Sequence, residues 1–399
     1  MNGDLFMSLE TQTIERLRRA IRTDRLVETA VALIEIPSPT RSARRVADRL
    51  ADILRSDRFE VERPDAGWPE SPAVVARYLT GRAGRTLQFD GHLDTVHLRF
   101  VPPRVVDDTL FGSGASDMKG GVAAMVEAAR ALRDTQSLPA GGLLLTAHDH
   151  HESPWGDGRQ LAGLIDAGFI GDGVLLPEYL CDRIPVIGRG LIILEVAIRR
   201  DGEPVHEVLG GIDQPSVIRA GAEIVQRFAD LDRELSRRTH PMAGRETLFV
   251  GSVAAGEIYN QSPVEFRLSG TRRWLPGTSR DNVERELRGV LDEVASQTGT
   301  HVDGVFHFVR DAYEMDADNP LVTAFQAAHV AVGGRPLPLG AKPFVDDGNA
   351  FVSHARIPAI THGPAGKGAH TLNEEVPVAE LERTALVYAL AAIAFCGAG

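Results

Sequence analysis

The chain has 399 residues, 43% apolar and 25% charged, a composition ordinary for a folded protein and unlike that of a disordered one. Its formal net charge of −12 argues against nucleic acid or an anionic membrane as a partner, since both need clustered positive charge. No apolar run approaches the ~18 residues of a membrane span, and single cores stop growing beyond ~250–300 residues, so two domains are expected.

The Arg41–Arg45 and Arg233–Arg238 clusters read as solvated helix faces. Cys181 and Cys396 offer no disulfide framework and suit a reducing compartment. The N-terminus shows no apolar stretch behind basic residues, so no secretory signal is expected and the cytoplasm is the expected location.

In chain order, a helix is predicted over residues 9–22, where Ile14, Leu17 and Ile21 recur at helical spacing. A second starts at Thr23 or Asp24, both good N-caps, and carries Leu26, Val27, Ala30, Val31 and Ile34. It must end by Pro37, because proline disfavours helix at the residue before it, which leaves Ile36–Thr40 as an ordered loop. A third helix puts Val46, Leu50, Ile53 and Leu54 on one face. Strands are predicted at Ala73–Leu79, Thr86–Phe89 and Leu143–Ala147, and Val122, Met125, Val126, Ala129 and Leu132 mark a helix after Asp117. Strands alternating with helices argue for an α/β sheet, whose functional groups gather at strand carboxyl ends.

The pattern changes near Gly188. Leu191–Arg200 alternates as a long strand with Ile192, Leu194, Val196 and Ile198 on one face, and a long helix follows from about Pro215 to Leu235. Pro263–Trp274 reads as a half-exposed strand with Val264, Phe266 and Leu268 inward. A helix with Val283, Leu287, Val290, Leu291 and Val294 inward comes next, then a strand at Val302–Val309. This is a compact α+β insert, two helices on a four-stranded sheet, over residues 188–311. It interrupts a larger mixed-sheet α/β domain made of residues 1–187 and 312–399, which finishes with the helix Val378–Phe395.

The chemistry-bearing residues fall at predicted strand ends. His92 and Asp94 follow the strand that closes on Gly91, and residues i and i+2 of an extended segment point the same way. Imidazole and carboxylate together suit a borderline metal such as zinc, although such a carboxylate often orients the histidine instead of ligating. Asp117 follows the glycine-rich Gly112–Ser116 loop, where it could equally cap the next helix. His148-Asp149-His150-His151-Glu152 comes directly after a strand, Glu178 after the apolar Leu175-Leu176, and His370 within a glycine-rich loop after Ile357–Thr361. Any of these alone is commonly a surface group. Together, two imidazoles (His92, His370) and three carboxylates (Asp117, Glu152, Glu178) suit two divalent ions ~3.5–4 Å apart that share a carboxylate, an arrangement able to hydrolyse an amide.

Five segments also resemble the M20 metallopeptidases and amidohydrolases, which include acetylornithine deacetylase, succinyl-diaminopimelate desuccinylase and the glutamate carboxypeptidases. They are Ile36–Thr40, Gly91-His92-Leu93-Asp94-Thr95, Gly114–Gly121, Pro177-Glu178 and Gly368-Ala369-His370-Thr371. The resemblance implies one ion held by His92 and Glu178, the other by Glu152 and His370, with Asp117 bridging and Asp94 orienting His92. It further implies zinc, with cobalt or manganese as substitutes and a single ion as a variant. The insert becomes a lid and dimerisation domain of a homodimer. His206 matches a histidine that helps stabilise the tetrahedral intermediate, though it could be merely structural. Asn260 and Arg273 match positions that contact a substrate carboxylate, for which an arginine suits bidentate binding; a surface role for Arg273 stays open.

One departure stands out. The family carries a Glu-Glu pair where this chain has His151-Glu152. In one register Glu152 is the metal ligand and His151 the general base, which an unperturbed imidazole can be near neutral pH. In a second Glu152 is the base and His150 or His151 the ligand; in a third His148 or His150 ligates. The expected activity is metal-dependent hydrolysis of the amide bond of a small N-acyl amino acid or dipeptide-like substrate. The alternatives are hydrolysis of another C–N bond (aryl amine, amidine or carbamoyl) and a non-catalytic, ligand-binding relative.

Overall fold

The computed structural model describes residues 11–397. The described residues form two compact units, one of residues 11–186, 315–341 and 346–397 and the other of residues 187–314 and 342–345.

The first unit is built on a six-stranded mixed sheet in the order Glu60–Glu62, Val74–Leu79, Gly142–His148, Thr86–His92, Gly173–Leu176, Ala359–Thr361. The first two strands are antiparallel to their neighbours, and the remaining four run parallel. These four are buried on both faces because helices cover both. Gly173 faces Phe395 of the Val378–Cys396 helix, whereas Val174 and Leu176 face Leu161, Ile165 and Phe351 on the other side. Helices Lys119–Thr135 and Val378–Cys396 pack on each other and on Thr86–His92, and both are buried on nearly all sides. The N-terminal helix runs Thr11–Ala20; residues 9 and 10, expected within it, lie outside the described residues. The second helix begins at Thr23 with no side-chain cap, so Thr23 and Asp24 form its first turn and not its N-cap.

Gly121 shows how packing serves the site. A Cβ added there would stand 2.1 Å from the carbonyl oxygen of Pro177, so only glycine lets the helix meet the strand end that carries Glu178. Gly121→Ala should cost about 1–3 kcal/mol through overpacking. Urea unfolding checks this; a variant as stable as the parent would refute it.

In the second unit, Thr247–Ala255, Glu265–Trp274, Gly190–Arg199 and His301–Arg310 form a four-stranded antiparallel sheet in that order. Helices Val217–Leu235 and Arg280–Thr298 cover one face, burying Ile192, Leu194, Val196 and Ile198 against Ile224, Phe228, Leu287 and Leu291. Phe266 and Leu268 lie inward, while Val264 precedes its strand and is only half-buried. Residue-by-residue alternation did not reveal Thr247–Ala255. It is an edge strand whose Phe249 and Val253 are exposed, so its apolar residues do not mark an inner face.

Candidate metal centre

Parallel strands deliver their carboxyl ends to one edge. His92 is the last residue of its strand and pairs in register with His148, the last of the neighbouring one. Leu176 runs out directly into Pro177-Glu178. Asp117 arrives from the loop before Lys119–Thr135, and His370 from the loop after Ala359–Thr361.

These residues meet. Asp117 Oδ1 lies 3.1 Å from His92 Nε2, and its Oδ2 lies 3.2 Å from His370 Nε2. His370 Nε2 is also 3.1 Å from Glu152 Oε2, and His92 Nε2 is 3.6 Å from Glu178 Oε1. All but His370 are buried. Asp117 is no helix cap: the capping position is Met118, without a side-chain bond, and both Asp117 oxygens face imidazoles. Two imidazoles and three carboxylates packed this closely form a donor set that fits divalent cations, with the two Asp117 oxygens turned to opposite sides.

The carboxylate of Asp94 does not orient His92 as expected. The His92 Nδ1–H is met by the main-chain carbonyl of Asp94 at 2.9 Å, while the carboxylate stands 3.7 Å away. That carboxylate instead accepts the backbone N–H groups of His151 at 3.1 Å and Glu152 at 3.0 Å. Sequence reasoning also missed Glu374, which accepts the N–H groups of Gly114, Ser116 and Asp117 at 3.1–3.2 Å and so pins the Asp117 loop. Asp149 does the same for the turn that follows Ile36–Thr40, accepting from Arg41 N at 2.8 Å and Ala43 N at 3.0 Å. The Glu374-Glu375 pair close behind His370 was a usable signal for the first; Asp149 stood in plain view inside the histidine run.

Of the three histidines in that run, one faces the cluster. The His151 ring stacks on His92 with centroids 3.9 Å apart, its Nε2 3.9 Å from Glu178 Oε1 and its Nδ1 2.6 Å from Asp347 Oδ2. His150 packs edge-on against Trp68 at 4.4 Å, and His148 sits between Asp90 and Asp347, so neither joins Asp117, whereas His151 comes close enough to His92 and Glu178 to share an ion with them.

Charge crowding is strong. Burial and then the Asp117 charge push the Glu178 carboxyl well above its usual range. Burial opposes ionisation of Asp117, but hydrogen bonds from His370 and His92 outweigh it and hold that group far below the carboxylate range. Hydrogen bonds to Asp117 and Glu152 raise His370 to about 10. The sign of the consequence is fixed: a ligating imidazole must lose its proton, so cation binding should release protons and tighten as pH rises from about 6 to 9. The stabilisation from protonated His370 in the metal-free protein is complete below its ordinary 6.5 and is lost as pH climbs through about 10. The melting-temperature gap between metal-loaded and metal-free protein should therefore widen with pH; a gap that narrows would refute the assignment.

The other three expected residues belong to the second unit. His206 is exposed; its Nε2 lies 2.9 Å from Asn260 Nδ2 and its Nδ1 3.0 Å from Glu207 Oε2. Arg273 is half-buried, with its Nη1 buried and without a hydrogen-bond partner among the described residues, and burial lowers its pKa.

A mixed α/β sheet with this donor set along its carboxyl edge defines a metal-dependent hydrolase. The chain belongs to peptidase family M20/M25/M40, whose pattern matches residues 89–394, and it acts on amide bonds. A succinyl-diaminopimelate desuccinylase of Methylobacterium radiotolerans is 27% identical over 385 residues, covering 92% of this chain and 95% of its own. An M20 family metallo-carboxypeptidase from Sulfolobus solfataricus shares the fold with a TM-score of 0.77 at 16% identity, covering 93% of this chain and 99% of its own. A dinuclear metal binding peptidase of the M20 family from Bacillus subtilis does so with 0.69 at 15%, covering 93% and 97%. Among the described residues, no helix is long and apolar enough to cross a membrane.

Proposed function

We propose that this enzyme hydrolyses the amide bond of a small N-acyl amino acid or dipeptide-like substrate. The observation that carries the reading is Asp117 set between two imidazole–carboxylate pairs, His92 with Glu178 and His370 with Glu152. Each pair would hold one divalent ion, zinc by the chemistry of the donors. Such ions, when bound, supply Lewis acidity that polarises a carbonyl and makes water a nucleophile near neutral pH.

The chain's own groups do the rest. Asp94 fixes the backbone of His151 and Glu152. His151 presents Nε2 to take the proton of the attacking water and return it to the leaving amine, in place of the usual glutamate. Arg273, whose buried Nη1 lacks a partner, is suited to a substrate carboxylate, with Asn260 beside His206 as further donors. His206 would assist the oxyanion. The chain acts as a homodimer in the cytoplasm in this reading: the Thr247–Ala255 edge strand exposes backbone and Phe249 for pairing with a second copy, and both cysteines are free.

The test is a screen of N-succinyl, N-acetyl and dipeptide substrates with zinc, cobalt or manganese, alongside metal content and Glu152→Ala. Turnover that needs metal and is lost in Glu152→Ala is expected. Absence of bound metal together with no turnover on any of these would overturn the reading.

A further inference from the structure

Behind the metal centre lies a file of buried polar groups that the hydrolysis described so far does not use. Gln88 Nε2 donates to Thr146 Oγ1 at 2.7 Å, and Thr146 Oγ1 donates to Asp90 Oδ1. Asp90 Oδ2 lies 3.3 Å from His148 Nε2, which lies 3.4 Å from Asp347 Oδ2. That same Asp347 oxygen is 2.6 Å from His151 Nδ1. Gln88, Thr146, Asp90, His148 and Asp347 are all essentially inaccessible to solvent. So costly a burial of polar and charged groups needs a role.

We propose that Asp347 is the positioning residue for His151, fixing its tautomer and ring so that Nε2 serves as the proton acceptor, with the buried His148–Asp90 pair holding Asp347 in place. The inference rests on the role given to His151 above.

The geometry leaves little freedom. An ionised carboxylate only accepts, so the short Nδ1 contact makes Nδ1 the protonated nitrogen and leaves the lone pair of the neutral ring on Nε2. The ring plane is set by stacking on His92, only 5° from parallel. Asp347 opens the short helical turn Asp347–Ala350, whose capping box is closed by Asp346 and Asn349, so its own backbone is fixed. Burial alone would strip the proton from His148, but the charges of Asp90 and Asp347 outweigh it and raise the imidazole to about 9. His148 Nε2 thus stands between the two carboxylates and ties Asp347 to Asp90.

As the water oxygen bonds to the carbonyl carbon, one O–H bond breaks and its proton goes to His151 Nε2. The ring becomes an imidazolium paired with Asp347, whose own protonation does not change. When the C–N bond breaks, Nε2 returns the proton to the amine nitrogen, and the neutral ring is restored. A histidine backed by an aspartate thus replaces a carboxylate base.

The experiment uses the zinc-loaded enzyme and compares D347N with H151Q. D347N should lower kcat by about 10²–10⁴-fold with KM changed by no more than ~3-fold, as when an asparagine stabilises the wrong tautomer. Its zinc content and unfolding temperature should stay near those of the parent. Nitrogen-15 NMR of histidine-labelled parent enzyme, with the His151 signals assigned through H151Q, should show a protonated Nδ1 and a free Nε2; D347N should lose that signature. A parent spectrum showing the Nε2–H tautomer overturns the proposal, even where D347N does not fold. Loss of zinc from D347N also overturns it, because Asp347 would then hold metal. If H151Q abolishes turnover while D347N keeps it, the role of Asp347 fails alone. If H151Q keeps full activity, the role of His151 itself is wrong.

Discussion

Asp117→Asn should lower kcat/KM by at least ~10³-fold, or about 4 kcal/mol of transition-state stabilisation. The two carboxylate oxygens of Asp117 face different imidazoles, at 3.1 Å and 3.2 Å. An asparagine keeps the size of the side chain but offers one acceptor and one NH₂ donor, which cannot ligate. One half of the centre therefore loses its partner, and bound metal should fall to about one ion per chain or fewer. Elemental analysis and steady-state kinetics on the same preparation check both numbers. Full metal content with near-parental turnover would falsify the bridging role.

Asp94→Ala is the second large effect. Its carboxylate is buried and accepts the amides of His151 and Glu152, the two residues that differ most in their expected duties. Removing it leaves two buried N–H groups unpaired, at about 1–3 kcal/mol each. Stability should drop by roughly 2–5 kcal/mol, and kcat by at least ~10²-fold even where the protein is fully folded, because Glu152 and His151 lose their placement. Asp94→Asn, which keeps one acceptor, should fall between. Unfolding curves paired with kinetics below the transition separate the two losses; parental kcat in folded Asp94→Ala would count against this function.

What was readable in the sequence follows from how each residue does its work. His92, Asp117, Glu178 and His370 stand next to strands or glycine-rich loops whose position the apolar pattern announces, and the structure brings all four together. The helices and most strands were visible for the same reason: each has one buried face at a regular period. Thr247–Ala255 was not, since an edge strand exposed along most of its length carries no such period. The histidine run was ambiguous for a physical reason as well. His148 ends a strand and points at Asp90, His150 has a positive φ of 68° and turns toward Trp68, and only then does His151 face His92. Three rings in four residues take three directions, which spacing alone cannot assign. Asp347 was invisible because it acts through one carboxylate across 196 residues of chain, on a group with no local signature.

The division of the first unit across the sequence bears on how the protein is made. Residues 187–314 carry the four-stranded sheet and both helices of the second unit in one run, whereas the sheet that carries His92 lacks Ala359–Thr361, and the site lacks His370, until those later residues have been synthesised. On the ribosome the sheet and helices of the inserted unit can form while the metal-binding unit is still open. Cation capture is then the closing event of biosynthesis, and a nascent chain stalled before residue 359 should already protect the Gly190–Arg199 amides from hydrogen exchange while taking up no metal.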